Sequence, residues 1–179
     1  ADGLEAYEGM VVTLRGPLTV QQNYFLQRFG QLTLAAGGRL LAPTNVMPAG
    51  PDALAMKADN LRRSIILDDG TSLQNVNPTP FLGADNTVRA GDTVASLTGV
   101  IDYGLASSSS GGAGSYKIHP LAAPDFARTN PRVATPQVSG GNVRIASANV
   151  LNFFTTFTNG QTFDGKSGQG CALGGSVSA

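Results

Sequence analysis

The sequence contains no tryptophan, one cysteine, one histidine and few charged residues. Twelve basic residues balance twelve acidic ones, so the bulk charge excludes a strongly basic nucleic-acid binder, although a local basic groove stays compatible with it. No apolar run approaches the roughly 20 residues of a membrane-spanning helix, and we expect no membrane partner. The single cysteine, Cys171, excludes a CxxCH haem site and a CxxC zinc ribbon, because each needs two cysteines. Cys171 is either an inert thiol or half of a disulfide with another chain.

Glycine and proline are abundant, with 23 and 10 residues, which is typical of a turn-rich β protein. Strand-like runs separated by turns occupy the first 122 residues: 8–15 with a continuation over 18–20, 24–35, 63–67, 87–103 and 116–121. We therefore predict a mainly β fold, an OB-fold-like barrel of five to six strands with one short helix. A β-sandwich is the alternative, but it usually needs more strands of similar length.

Two phase changes in the apolar pattern predict β-bulges, which would bend the strands as a small barrel requires. The first lies at Gly30, inside the predicted strand over residues 24–35. The second lies near Ala95, inside a hairpin-like element over residues 87–103. Residues 51–61 are expected to form the short helix.

Neither the single histidine nor the paired aspartates predict a metal site. His119 stands beside a proline on the last strand, without a second ligand at metal spacing, and we expect it at the rim of the barrel. Asp68 and Asp69 precede Gly70, and this triplet predicts a turn. We expect no cofactor in this chain.

The C-terminal third differs from the rest in composition. Residues 123–142 are rich in proline and predict an extended linker. Residues 143–157 read VRIASANVLNFFTTF, a strand whose own sheet is missing, and a Gly/Ser-rich tail follows to residue 179. We thus divide the chain into a barrel (1–122), a linker (123–142) and an incomplete domain (143–179).

A strand of this kind needs neighbours that cover its side chains and pair its backbone. Either the chain is part of a longer protein, or the strand finds partners in neighbouring copies. The apolar side chains available for such self-association are those of Val143, Ile145, Val150, Leu151, Phe153, Phe154 and Phe157.

Several motifs occur in a fixed order along the chain: YEGM at 7–10, an N…FG run at 23–30, RRSIILDDG at 62–70, GDTV…LTGVIDY at 91–103, YKIHP at 116–120 and NPRV at 130–133. With the IASAN strand at 145–149, they resemble the N-terminal part of secreted bacterial nucleases of the endonuclease/exonuclease/phosphatase (DNase I-like) superfamily. The resemblance covers nearly all 179 residues. It implies an extracellular protein with an OB-fold module in front of a catalytic domain.

The resemblance also implies that Asn149 matches the asparagine that orients the scissile phosphate in this superfamily. A complete parent nuclease would need a divalent metal (Mg²⁺ or Ca²⁺) held by carboxylates, and an Asp–His pair. After Asn149 this chain has one acidic residue, Asp164, and no histidine. We therefore expect this chain alone not to be an enzyme.

OB folds bind single strands on the face of strands 2 and 3, using aromatic and basic side chains. Tyr24 and Arg28 share one phase of the predicted second strand. We predict weak binding of single-stranded nucleic acid by an accessory or domain-positioning module, through Tyr24, Arg28, Arg62, Arg63, Tyr103, Tyr116 and Lys117. The alternative is a structural subunit of an extracellular filament that self-associates through its C-terminal segment.

Overall fold

The computed structural model describes residues 3–105, 114–131, 133–135, 139–143 and 145–147. The chain divides into two compact units, Ala1–Ala134 and Thr135–Ala179. All helices and strands of the described residues belong to the first unit, which is mainly β. None of these helices is both long and apolar enough to cross a lipid bilayer.

The first unit contains five strands, two α-helices and two 3-10 turns. The strands are β1 (Val11–Gln22), β2 (Gln31–Ala36), β3 (Ser64–Asp68), β4 (Thr93–Leu105) and β5 (Gly114–Pro120). The helices are α1 (Leu26–Phe29) and α2 (Pro51–Arg62), and the 3-10 turns are Glu5–Tyr7 and Pro43–Asn45.

The five strands form one mixed sheet in the order β1-β2-β3-β5-β4, and β4 pairs again with β1, so the sheet closes on itself. Four of the five pairings are antiparallel, whereas β3 and β5 are parallel, with Ile66 opposite Lys117. Each of the five strands therefore pairs with two others along part of its length.

The hydrophobic core lies inside the closed sheet and includes side chains from all five strands, together with Leu26, Val88 and Phe126. Alternation along β2 points Leu32 and Leu34 inward, with exposures of 1% and 0%. Leu67 of β3 and Ile118 of β5 pair with one another in register and are fully buried. The opposite phase of these strands faces outward and carries the polar groups described below.

The predicted strand over residues 24–35 is wrong in its first half. Residues 26–29 form α1, which ends at Gly30, whose φ of +66° is a left-handed conformation that glycine adopts without strain. Phe25 and Phe29 are four residues apart, a spacing that fits a helix face as well as a strand phase. The phase change at Gly30 is thus the end of a helix and not a β-bulge, and Tyr24 and Arg28 do not share a strand.

The prediction of a hairpin-like element over residues 87–103 is also wrong, because only the part from Thr93 onward is a strand. The turn at Gly91–Asp92 exists, but it leads from a loop into β4. The register does shift opposite Ala95: four residues of β1, Arg15 to Leu18, lie opposite three residues of β4, Val94 to Ser96. The extra residue of this irregularity therefore lies in β1, next to Gly16.

Other predictions for this unit are confirmed. The short helix over 51–61 is α2, and the predicted strands over 63–67 and 116–121 are β3 and β5. Gly70 adopts a positive φ in the turn after β3.

Residues 126–130, which we call the strap, pack onto the sheet within the first unit, although they belong to the predicted linker. Phe126 is 8% exposed and lies in the hydrophobic core. Ala127 and Thr93 exchange two backbone hydrogen bonds of 2.7 and 3.1 Å. The compact unit therefore extends beyond the last strand.

Candidate functional site

The outward phases of β2 and β3 form a polar face on the sheet. Gln31 stands opposite Asp68, and Thr33 stands opposite Ile66 in the antiparallel register. Because Leu32 and Leu67 point into the core between them, these four side chains lie together on the opposite side of the sheet from the core. Gln31 and Asp68 are buried there, whereas Thr33 and Ile66 are partly exposed. We call them the outer face.

An aromatic flank of Tyr24, Phe25 and Phe29 accompanies the outer face. The buried side chain of Leu26 anchors α1 in the core. The rings of Phe25 and Phe29 lie 5.9 Å apart between centroids, and Tyr24 contacts Phe25 edge-on at 5.0 Å. The Tyr24 side chain is 78% exposed, so its ring is available to a ligand.

Arg28 supplies a positive charge on the same helix. Its guanidinium carbon lies 5.0 Å from the centroid of the Phe29 ring, within the range of a cation–π contact. Its Nε donates a 3.1 Å hydrogen bond to Gln74 Oε1. These two contacts hold the charge of Arg28 next to the aromatic flank.

Two recesses open beside the outer face and share Gln31 as a wall. The larger recess has a volume of about 300 Å³, with apolar walls from Phe29, Leu73 and Leu105 and polar walls from Gln31, Asp68 and Lys117. The smaller recess has a volume of about 130 Å³ and is lined by Gln22, Phe25, Gln31, Thr33 and Ile66. The aromatic flank therefore contributes one ring to each recess.

Asp68 organises the polar groups of the larger recess. Its Oδ2 accepts hydrogen bonds from Gln31 Nε2 at 2.6 Å and from Lys117 Nζ at 3.0 Å. Its Oδ1 accepts a 2.8 Å bond from the Gly70 amide. Burial by itself raises the pKa of Asp68, but the hydrogen bonds from Gly70, Gln31 and Lys117 outweigh burial and hold the pKa below its usual value.

His119 lies next to this cluster on the outward phase of β5. Its Nε2 is 3.1 Å from Asp102 Oδ2, and its Nδ1 is 3.5 Å from Asp68 Oδ1. Within the ranges that the structure describes, no three His, Cys, Asp or Glu side chains are placed to hold a metal ion together. His119 thus belongs to a hydrogen-bonded surface cluster.

The structure brings three of the predicted nucleic-acid-binding residues to this region: Tyr24, Arg28 and Lys117. Arg62 and Arg63 lie at the opposite end of β3 from Asp68. Arg62 pairs with Asp59, at 2.9 Å, and Arg63 donates to the carbonyl oxygens of Ala36 and Gly37. These two arginines are therefore separated from the outer face.

Tyr103 and Tyr116 form a separate aromatic pair, 5.0 Å apart between ring centroids, in the register of β4 and β5. Tyr116 alternates with Lys117 along β5, and its ring packs against the core. The Tyr116 hydroxyl donates to Glu5 at 2.5 Å, and this bond raises the pKa of Tyr116 to about 12. The pair consequently does not join the aromatic flank.

The sequence interpretation missed Gln31, Phe25 and Phe29 as site residues, and it assigned Asp68 only to a turn. The alternation of Leu32 and Leu34 with Gln31 and Thr33 could have placed the polar pair on the outside. No local signal could have brought Asp68 to Lys117, because 49 residues separate them.

The predicted self-association segment and the active-site asparagine fall mostly outside the described residues. Val143 and Ile145 are described, and their side chains are 72% and 92% exposed. Asn149, Val150, Leu151, Phe153, Phe154 and Phe157 lie outside the described ranges.

The chain was compared with known proteins, and no protein-family model, no curated protein and no solved structure matches it.

Proposed function

We propose that this chain is an OB-fold-like accessory module that binds single-stranded nucleic acid weakly on its outer face. The observation that carries the proposal is the aromatic flank, with Arg28 beside it, along the outward phases of β2 and β3. Single-strand binding proteins combine such rings, on which bases stack, with basic groups that follow the phosphates.

The topology supports the OB-fold part of this proposal. A five-stranded Greek-key barrel with OB connectivity uses the face of strands 2 and 3 for its ligands. Here β2 and β3 are adjacent, the sheet closes through β1 and β4, and β3 pairs with β5 in parallel. The polar outer face and both recesses lie on that pair of strands.

The charges of the site support weak binding. Arg28 is exposed, but Lys117 is already paired with Asp68, and the chain as a whole is neutral. Few phosphate contacts should form, so most of the affinity should come from stacking, at about 1–3 kcal/mol per base. The affinity should then fall only gradually with added salt.

The wider setting is part of the same proposal and depends on the motif resemblance. In that setting the module belongs to a secreted DNase I-like nuclease, which contains the divalent metal and the catalytic domain, while this chain contributes substrate engagement or domain positioning. The strap supports a positioning role, because it fixes the chain to the sheet at its exit from the first unit.

A second function, assembly of an extracellular filament, is supported by one observation. The side chains of Val143 and Ile145, at the start of the apolar segment, are largely exposed. In a structural subunit this segment would pair with a neighbouring copy.

Fluorescence anisotropy with a labelled oligothymidylate of about a dozen nucleotides tests the first function. We expect Tyr24→Ala and Arg28→Ala each to weaken binding at low salt. Tyr103→Ala and Arg62→Ala are the matched controls, since they remove an exposed tyrosine and an exposed arginine away from the outer face. No binding at low salt, or equal losses in all four variants with the fold intact by circular dichroism, would exclude this interface.

A further inference from the structure

We propose that the larger recess holds one unstacked base of the bound strand and recognises a base edge in which a carbonyl oxygen lies beside a ring N–H. Lys117 donates to that carbonyl oxygen, and Gln31 Oε1 accepts from the N–H. This inference rests on the proposed function and names the ligand chemistry of the same site.

The contact with Asp68 fixes the orientation of the Gln31 amide. Asp68 Oδ2 accepts from Gln31 Nε2 at 2.6 Å, and a carboxylate cannot donate to an amide oxygen. The nitrogen must therefore face Asp68, which leaves Oε1 as a fixed acceptor. Gln31 is 6% exposed, and its Oε1 has no hydrogen-bond partner among the described residues.

Lys117 contacts the same carboxylate. Its ammonium has three N–H donors, and one of them is used by the same oxygen, Asp68 Oδ2, at 3.0 Å. Because Gln31 and Lys117 share one acceptor atom, their head groups are held close together in the wall of the recess. Both residues line the larger recess, so Asp68 positions a donor, Lys117 Nζ, and a buried acceptor without a partner, Gln31 Oε1, in its wall.

The ion pair of Lys117 and Asp68 disfavours an anion as the ligand. Lys117 and Asp68 form an ion pair with side-chain exposures of 13% and 4%, so their charges cancel where the ligand would lie. A phosphate would meet Asp68 at close range without an unpaired cation, which is unfavourable. A neutral polar ring avoids this repulsion.

The shape of the recess favours a flat ring. Phe29, Leu73 and Leu105 supply apolar walls, and the volume of about 300 Å³ is at the small end of ligand pockets. A base can contact the Phe29 ring while its polar edge meets Gln31 and Lys117. Thymine, uracil and guanine present a carbonyl oxygen beside a ring N–H.

Cytosine and adenine present an amino group where those bases have the carbonyl oxygen. In the same orientation the amino donor would face the Lys117 ammonium, and the ring nitrogen would face Gln31 Oε1. A donor would then face a donor and an acceptor would face an acceptor, so Gln31 Oε1 would stay without a hydrogen bond. We expect about a tenfold preference for uracil over cytosine.

The experiment measures by fluorescence anisotropy how well oligodeoxyuridylate and oligodeoxycytidylate of equal length displace a labelled oligonucleotide from the full chain. Gln31→Met keeps the length of the side chain and should reduce the preference to less than about twofold, because the acceptor is lost. Gln22→Met is the matched control, since Gln22 lines only the smaller recess, and it should retain the preference.

Ser72→Phe provides a second variant that does not disturb the core, because Ser72 lies in the exposed loop that lines the larger recess. Its ring should fill the recess and lower the affinity for deoxyuridylate to that for deoxycytidylate. Persistence of the preference in both Gln31→Met and Ser72→Phe would overturn the inference.

Two further outcomes separate this inference from the proposed function. If binding depends on Tyr24 but shows no preference between uracil and cytosine, the outer face binds single-stranded nucleic acid, and the proposal that the larger recess recognises a base is wrong. If no oligonucleotide binds at all, the proposed function and this inference are both wrong. A neutral oligosaccharide that binds the wild type but not Ser72→Phe, without oligonucleotide binding, would likewise overturn the assignment to a base.

Discussion

The carboxylate of Asp92 lies 2.8 Å from the guanidinium of Arg128, although 36 residues separate them. Asp92 is fully buried, and its side chain also accepts from the backbone amides of Arg89, at 2.8 Å, and Asn130, at 3.3 Å. Arg128 in turn pairs with Asp85 at 2.5 Å, and this contact lowers the pKa of Asp85 to about 2. The strap is therefore fixed to the turn in front of β4.

Replacement of Arg128 by alanine should destabilise the first unit. It leaves the buried Asp92 carboxylate without its cationic partner, and the free energy of unfolding should fall by about 2 kcal/mol in urea titrations. Asp85→Asn is the control, because it removes the charge of the exposed carboxylate that pairs with Arg128 and leaves the contact between Arg128 and Asp92 in place. If the two substitutions lower the free energy of unfolding equally, the contact between Arg128 and Asp92 contributes no more stability than the contact between Arg128 and Asp85.

Two glycines of β4 should respond very differently to alanine. A Cβ on Gly99 would lie 2.4 Å from the carbonyl oxygen of His119 in the paired strand β5, whereas a Cβ on Gly104 would meet nothing within 4 Å. Gly99→Ala should lower the free energy of unfolding by about 1–3 kcal/mol. Gly104→Ala should change it by no more than about 0.5 kcal/mol. Thermal unfolding of both variants is the measurement, and similar midpoints would contradict the close approach.

The lowered pKa of Asp68 predicts how stability depends on pH. A carboxyl group with a lower pKa in the folded state adds stability above its unfolded value of about 3.9, and this stability is lost as the pH falls through the folded value. Asp68→Asn should therefore be less stable than the wild type at neutral pH. The difference should narrow below about pH 4, as urea titrations at several pH values can show. If the difference in stability between Asp68→Asn and the wild type does not change with pH, the ionised Asp68 carboxylate is not what stabilises the fold.

Purified chain should not cleave DNA. The residues after Asn149 include a single acidic side chain and no histidine, too few for metal-dependent hydrolysis. Incubation of supercoiled plasmid with the chain and Mg²⁺ or Ca²⁺ is the assay, with Asn149→Ala as the matched protein. Cleavage by the wild type that the substitution abolishes would overturn the proposal of a non-catalytic module.

Self-association should depend on the apolar C-terminal segment, if the second function holds. Val143 and Ile145 are largely exposed, and apolar surface in water costs about 25 cal/mol per Å². Removal of residues 143–179 should leave a folded, monomeric first unit, since the sheet and the strap lie before residue 135. Light scattering at rising concentration is the test, and a full chain that is already monomeric would exclude filament assembly.

Local patterns of the sequence predicted most of the strands. Apolar alternation and turn residues identified β1, β3, β5 and most of β4, and the helix α2 followed from its composition. They failed at α1, where Phe25 and Phe29 fit a helix spacing and a strand phase equally well. Packing of Leu26 into the core favours the helix, which a local pattern cannot reveal.

The sequence by itself determined the mainly β character of this protein, its neutral charge and the outward phase of Gln31 and Thr33, because these depend on composition and on neighbouring residues. Only the tertiary structure decided that the sheet closes and that β3 lies parallel to β5. The parallel pairing brings Lys117 to Asp68, and through Asp68 to Gln31, across 49 and 37 residues. Hydrogen bonds between strands so distant in the chain leave no periodic trace, so the site emerged only once the strands were paired.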